Sequence, residues 1–412
     1  MQFNPFGGYK MKPSFSVVII TAVICLFAPA SDGLAQNVLD PQYRVDPFWP
    51  KVPYPNGWLQ QGVPTMTVDD RDHVWVISRS ADLHAHESMA TFDPPRGDCC
   101  IAAPDILEFD PEGNIVNAWG GPDHHPLWPA RPQTVIVDSE FNVWVSSLGQ
   151  GAGLMKFTRE GEFLWDFPIR GPAPAPGEQR LPRNFQDNQA TDVLRNGVFN
   201  FALDEEDREV YILDNGKRVV VYDMDTGEFM RGWGGRGKPL SEISNDPEPG
   251  YAWDGGPPPD TDGFMPAVHC VMISNDGLVY VCERGMNRIQ VFTKQGEYVF
   301  EFLVAPNTPA RPNPDGTGCG GPFSNTEPMC GTTYNLAFSH DENQQYVFVA
   351  DGTNHRVWIH DRFTGEEVGQ FGSPGRNAGQ LYWIDGIATD SRGNVYTGEV
   401  STGKRVQKFV LQ

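Results

Sequence analysis

Gln133, His269 and Asp385 each stand five residues before the end of a short apolar strand in a repeating pattern. The same position in the intervening repeats holds Pro64, Phe199 and Tyr334. An amide oxygen, an imidazole nitrogen and a carboxylate on alternate repeats, about 120° apart around one axis, suit a bound cation or a polar ligand better than a packed core. The competing reading is a satisfied core histidine with two chance polar neighbours. Further side chains belong to the same end of the repeats: Arg79, Asp214, Glu283, Asp351 and Glu399 close the second strands. Arg79 is the cation in this otherwise acidic ring, and a guanidinium there could hold a carboxylate or steady developing negative charge. Arg79 and His269 are therefore the catalytic candidates, and His269, Asp385 and Gln133 the metal-ligand candidates. The rim carboxylates can equally do no more than solvate a cavity mouth.

These residues need a scaffold that brings distant segments to one axis. Strand, tight turn, strand, strand recurs six times, with first strands ending at Asp69, Asp138, Asp204, Ser274, Ser339 and Asp390. Second strands include His73-Val74-Trp75-Val76, Asn142-Val143-Trp144-Val145 and Leu278-Val279-Tyr280-Val281. Short β-rich runs at this spacing predict an all-β fold, a six-bladed β-propeller. The last repeat stops at Gln412 after its third strand, leaving an open edge. Tyr43-Arg44-Val45-Asp46-Pro47-Phe48 is expected to supply the missing strand and close the ring, Pro47 being tolerated at an edge. In four-stranded meanders the second-to-third and blade-to-blade connections share one face. The long insertions, 80 to 104 and about 168 to 197, 235 to 266 and 303 to 333, all fall there. That face is expected to carry the site.

Acidic residues number 53 against 31 basic ones, a formal charge of -22, which argues against a nucleic-acid partner. Residues 1 to 35 read as a signal peptide, with Lys10 and Lys12 before an apolar run from Phe15 to Ala30 and small residues at Gly33-Leu34-Ala35. The run is too short for a membrane span. The predicted mature domain, 36 to 412, would be secreted or periplasmic and keep six cysteines for disulfides. Around the turn Asn275-Asp276-Gly277, Cys270 and Cys282 face each other and predict a cross-strand bridge. Cys319 and Cys330 share one insertion; Cys99 and Cys100 remain as an adjacent pair, with cross-pairing between the two loops open.

The stretch Val268-His269-Cys270-Val271 through Glu283-Arg284-Gly285-Met286-Asn287-Arg288-Ile289-Gln290-Val291-Phe292 resembles the histidine strand, and the strands after it, of peptidyl-α-hydroxyglycine α-amidating lyases. From first blade to last the chain is similar to NHL-repeat propellers, and more narrowly to bacterial relatives of that lyase family. Ser78-Arg79 occupies the place of the family's active-site arginine, and Asp105-Ile106-Leu107-Glu108-Phe109-Asp110 continues the match. The resemblance implies a zinc ion held by three histidines from alternate blades. Here His269 matches, while the other two places hold Gln133 and Asp385, no tyrosine stands near Asn215-Gly216, and Trp383 replaces a methionine. One nitrogen and two oxygens favour a harder ion such as calcium, or no metal.

Three functions follow as expectations: a lyase-like or hydrolase-like metalloenzyme, a calcium-dependent lactonase-type hydrolase, and a non-catalytic exported binding module. All three place a small molecule or peptide in the central pocket, and the cofactor, if there is one, would be a divalent metal, calcium or zinc.

Overall fold

The computed structural model describes residues 41 to 149, 151 to 171, 173, 187 to 194, 196 to 214, 216 to 246, 252 to 265, 268 to 313, 315, 317 to 319 and 329 to 412. The expected signal segment lies outside the described residues. The remainder forms a six-bladed β-propeller: six four-stranded antiparallel sheets in chain order. Blade 1 contains Met66–Val68, Val74–Ile77, Ile106–Phe109 and Ile115–Trp119; blade 4 contains Val268–Ile273, Leu278–Glu283, Arg288–Thr293 and Tyr298–Leu303. The central two strands of the blades are largely apolar on both faces because each blade is packed between two others. Val74, Trp75, Val76 and Ile77 are all fully buried, as are Val279, Tyr280 and Val281.

A single polar device shapes the turn after three of the inner strands. One oxygen of Asp69 accepts the amides of Arg71 (2.9 Å) and His73 (3.1 Å), while the other takes the indole N–H of Trp75 (3.0 Å). Asp138 repeats this with Glu140, Asn142 and Trp144, and Asp390 with Arg392, Asn394 and the Tyr396 hydroxyl. An aspartate with an aromatic partner six residues on satisfies the turn amides and pins a core ring at once. That is why this spacing recurs.

Neighbouring blades are keyed together in a second way. At Gly161, in a turn of blade 2, φ is +90° and an added Cβ would lie 2.7 Å from the Trp119 ring of blade 1. Gly113 of blade 1 repeats the arrangement with Trp49, 2.8 Å from its would-be Cβ. Trp49 follows Tyr43–Asp46, which pairs antiparallel with Val406–Leu411 at the outer position of the sixth sheet. Residues from the start of the chain thus take the sheet position and the interlocking indole that fourth strands provide elsewhere.

Cys270 and Cys282 are cross-strand partners in blade 4 with Cα atoms 4.8 Å apart, and they are bridged. Cys319 is joined to Cys330, and Cys99 to its neighbour Cys100, which resolves the alternative of cross-pairing between the loops.

Candidate ligand site at the propeller axis

The inner strands begin on the face that carries the insertions, and three of them begin irregularly. Register with the second strand shifts between Pro132 and Val135, between Val268 and Cys270, and between Ile384 and Gly386. In the three odd blades the inner strands pair without a shift. The irregularities fall on Gln133 with Thr134, on His269 and on Asp385. A bulge adds a residue to one strand, bends it and re-aims a side chain. The alternate-blade pattern in the sequence therefore corresponds to an alternate-blade distortion of the backbone.

His269 is 7 % exposed, Gln133 5 % and Asp385 8 %. Nδ1 of His269 lies 2.6 Å from the Tyr334 carbonyl, which can only accept, so Nδ1 carries the proton and Nε2 presents a lone pair. This bond also latches blade 4 to blade 5, as Thr65 Oγ1 latches blade 1 to the Gln133 carbonyl and Thr134 Oγ1 blade 2 to that of Phe199. The His269 ring stands edge-on to Phe199 at 4.6 Å and to Tyr334 at 5.2 Å. Asp385 Oδ1 is 3.9 Å from Nδ1 of His269, beyond hydrogen-bond range, and the Asp385 carboxyl accepts no hydrogen bond from any described residue.

Arg79 reaches this group from the end of a blade 1 strand. Its Nε donates to the Pro132 carbonyl (3.0 Å) and its Nη2 to Oε1 of Gln133, leaving Nη1 without a partner among the described residues. Arg284 lies over the Tyr334 ring at 4.9 Å and makes no ion pair or hydrogen bond through its guanidinium with any described residue. Sequence reasoning passed over Arg284. Its signal was the position directly after Glu283, where Asn215, Gly352 and Val400 follow the equivalent carboxylates.

Burial pushes Asp385 up to about 7, against the pull of Arg79 and Arg284. Burial and the same two guanidinium groups push His269 well below its usual value, so it is neutral at physiological pH and the 3.9 Å contact is not an ion pair. Arg79 is lowered to about 10 by burial and by Arg131, and stays charged. The axis therefore holds fixed positive charge, a neutral imidazole acceptor and one carboxyl poised near neutrality.

The rim carboxylates do something else. Asp214, Glu283, Asp351 and Glu399 are fully buried and hydrogen-bonded within the fold, and do not line a mouth. Arg218 meets Asp214 at 2.7 Å, Arg288 meets Glu283 at 2.8 Å and Arg405 meets Glu399 at 2.8 Å. Asp351 instead takes the indole N–H of Trp358 and the Asn354 amide, both at 2.7 Å. A carboxylate buried at a strand end needs a partner, and here an arginine at the opening of the next strand, or one residue before it, supplies one. The arginines then hold the insertions: Arg218 donates to the Asn188 carbonyl, Arg288 to that of Thr261 and Arg405 to that of Gln380. Arg79 occupies the carboxylate position of this staple, which frees it to face the axis. Arg288→Met is expected to cost about 3 kcal/mol by stranding Glu283, and Arg79→Met about 1 kcal/mol, because the two lost hydrogen bonds are offset by removal of a buried charge that has no carboxylate partner; urea unfolding of both variants checks the contrast.

Elsewhere among the described residues, Asp69, His73 and Glu108 place ligand atoms within 4.8 Å of one another, as do Asp204, Asp207 and Glu209. Arg71 and Arg159 neutralise the first group, and Lys294 and Arg231 the second. A cleft of about 270 Å³ between blades 2 and 3 is lined by Trp144, Lys156, Trp165, Arg208 and Met224. Its cations are already paired, Lys156 with Asp138 and Arg208 with Asp225.

Fold and site together define a six-bladed propeller with a polar cluster at its axis. Among solved structures the chain is similar to a streptogramin B lyase, at 13 % identity over 90 % of this chain and 98 % of that one, with a TM-score of 0.44. It is also similar to an auxiliary nutrient binding protein from Bacteroides thetaiotaomicron, at 12 % identity over 85 % and 69 % of the two chains and a TM-score of 0.48. Virginiamycin B lyase from Staphylococcus aureus follows at 12 % identity, 85 % of each chain and a TM-score of 0.41. Such distant likenesses carry no argument about function. No protein-family model and no curated protein sequence matches the chain.

Proposed function

We propose that this is an exported propeller whose axis binds a small carboxylate-bearing molecule or a peptide C-terminus. The observation that carries this reading is the convergence of Arg79 and Arg284, neither paired with a carboxylate among the described residues, on one buried carboxyl group. Neither guanidinium is neutralised by a carboxylate, and two of them acting on one buried carboxyl can serve as a fork for an anion. The lone pair of His269 Nε2 and the carboxyl of Asp385 would read a donor beside the anion, such as a hydroxyl or an amide N–H. Export rests on the basic and apolar N-terminal segment, and the three disulfides are compatible with it. Among the described residues no helix is long and apolar enough to cross a membrane.

The test is calorimetric titration with α-hydroxy acids and N-acyl amino acids beside their uncharged amides. Acids are expected to bind roughly 10–100-fold more tightly than the amides, the difference of a charged hydrogen-bonded contact, and Arg284→Gln to erase it. Equal affinity for acid and amide would remove the reading. A second reading, acid–base catalysis of the lyase or hydrolase type, is favoured by Asp385, whose value near 7 suits proton transfer on an anion held beside it.

A further inference from the structure

Three polar side chains on alternate blades form a ring that could close around a metal ion, and the resemblance noted above implies zinc at that place. We infer instead that the protein supplies this charge itself: the Arg79 guanidinium, pinned by Pro132 and Gln133, stands where a divalent ion would sit, and the site binds its anion without a metal. This inference rests on the axial ligand site proposed above. Oε1 of Gln133, one of the three prospective ligand atoms, is the acceptor for Arg79 Nη2, and Nε is held at 3.0 Å by the Pro132 carbonyl. Two bonds from the Nε–Nη2 edge, to acceptors on two different residues, hold the guanidinium in place and oppose its swinging aside to admit an ion. What remains is one imidazole nitrogen and one carboxyl, short of the three or four ligands that zinc takes and far short of the six to eight of calcium. An ion placed between them would also face Arg79 and Arg284. Gln133 thus acts as a positioning residue for Arg79. The chemistry differs from that of a metal: a guanidinium orients and neutralises an anion through a planar fork, but it does not acidify a bound water.

The experiment is metal analysis and titration of the whole exported chain with zinc chloride and calcium chloride, using wild type, His269→Ala and Asp385→Asn. Wild type is expected to carry no zinc or calcium that either variant removes, and to keep its melting temperature and its acid affinity after exhaustive chelation. One ion per chain, lost in His269→Ala or in Asp385→Asn, would overturn the inference. A complementary pair of variants tests the obstacle itself. Gln133→His with Asp385→His supplies three imidazoles, and adding Arg79→Met to them is expected to raise zinc affinity by roughly 100-fold over the double variant. Equal zinc affinity with and without Arg79 would also overturn it. Absence of acid binding in metal-free and metal-loaded wild type alike would defeat the ligand reading, whereas acid binding that appears only with added metal would defeat this inference alone.

Discussion

Asp385→Asn is expected to melt several degrees above the wild type at pH 8 and at nearly the same temperature near pH 4. Asp385 titrates at about 7 in the folded protein against 3.8 for the free side chain, with burial as the first cause. A carboxyl raised in the native state gives its full stability below the unfolded value and loses it as pH climbs toward the folded one. Below about pH 3 the group is neutral in both states, and at pH 4 the difference is still under about 1 kcal/mol. Between roughly 4 and 7 the unfolded chain releases the proton while the native protein keeps it, which draws stability down by on the order of 3–4 kcal/mol in all. Asparagine has no proton to release, so the variant escapes this fall. For a domain of this size the gain amounts to roughly 3–5 °C at pH 8. Asp351, raised to about 6, and Glu399, raised to about 7, add a similar slope to both proteins, so the difference between the two melting curves isolates Asp385. Parallel curves from pH 4 to 8 would show that the carboxyl is not held in the uncharged form. The expected gain has a functional meaning, since a side chain that costs stability and makes no hydrogen bond is justified by a ligand and not by the fold.

Removal of residues 36 to 50 is expected to have the largest effect on the fold itself. Tyr43 packs against Phe348 at 5.5 Å and Phe371 at 4.8 Å, while Trp49 packs against Tyr396 at 4.9 Å and Phe109 at 5.6 Å. The segment therefore touches blades 5, 6 and 1. Without it the Val406–Leu411 strand loses its partner and exposes an unpaired edge. Trp49→Ala alone, which empties the place against Gly113, is expected to cost about 3–5 kcal/mol. The deletion should aggregate or melt far below the wild type in a concentration-dependent way. A deletion variant that remains monomeric with an unchanged melting temperature would mean that this segment does not close the ring.

Much of this architecture was legible in the sequence because propeller blades obey local rules. The strand, turn, strand grammar and the four aspartates and two serines at the inner-strand ends located all six blades, and a count across the Asn275-Asp276-Gly277 turn placed Cys270 opposite Cys282. The same counting put Gln133, His269 and Asp385 on alternate blades, but it could not show that each lies in a bulge. A bulge is a break in pairing, invisible to any rule that assumes regular pairing. The sequence places the carboxylates at the rim of the cavity, with solvation of its mouth as one reading, because strand parity says which end of a blade a residue occupies, not what covers it. Their arginine partners, four to six residues on, were the available signal. Arg284 escaped for a related reason. It belongs to the short turn Arg284–Met286 after the strand has ended, where alternation no longer fixes direction, and only its stacking on Tyr334 brings it to the axis.

The axial site can be tested most directly by a crystal structure of the protein soaked with the tightest-binding acid from the titration panel. The carboxylate should lie within hydrogen-bond reach, about 2.7–3.0 Å, of Arg79 Nη1 and the Arg284 guanidinium, with a donor group turned toward His269 Nε2 and Asp385. Density for the acid in the cleft between blades 2 and 3, or anywhere else with the axis left to solvent, would contradict the assignment.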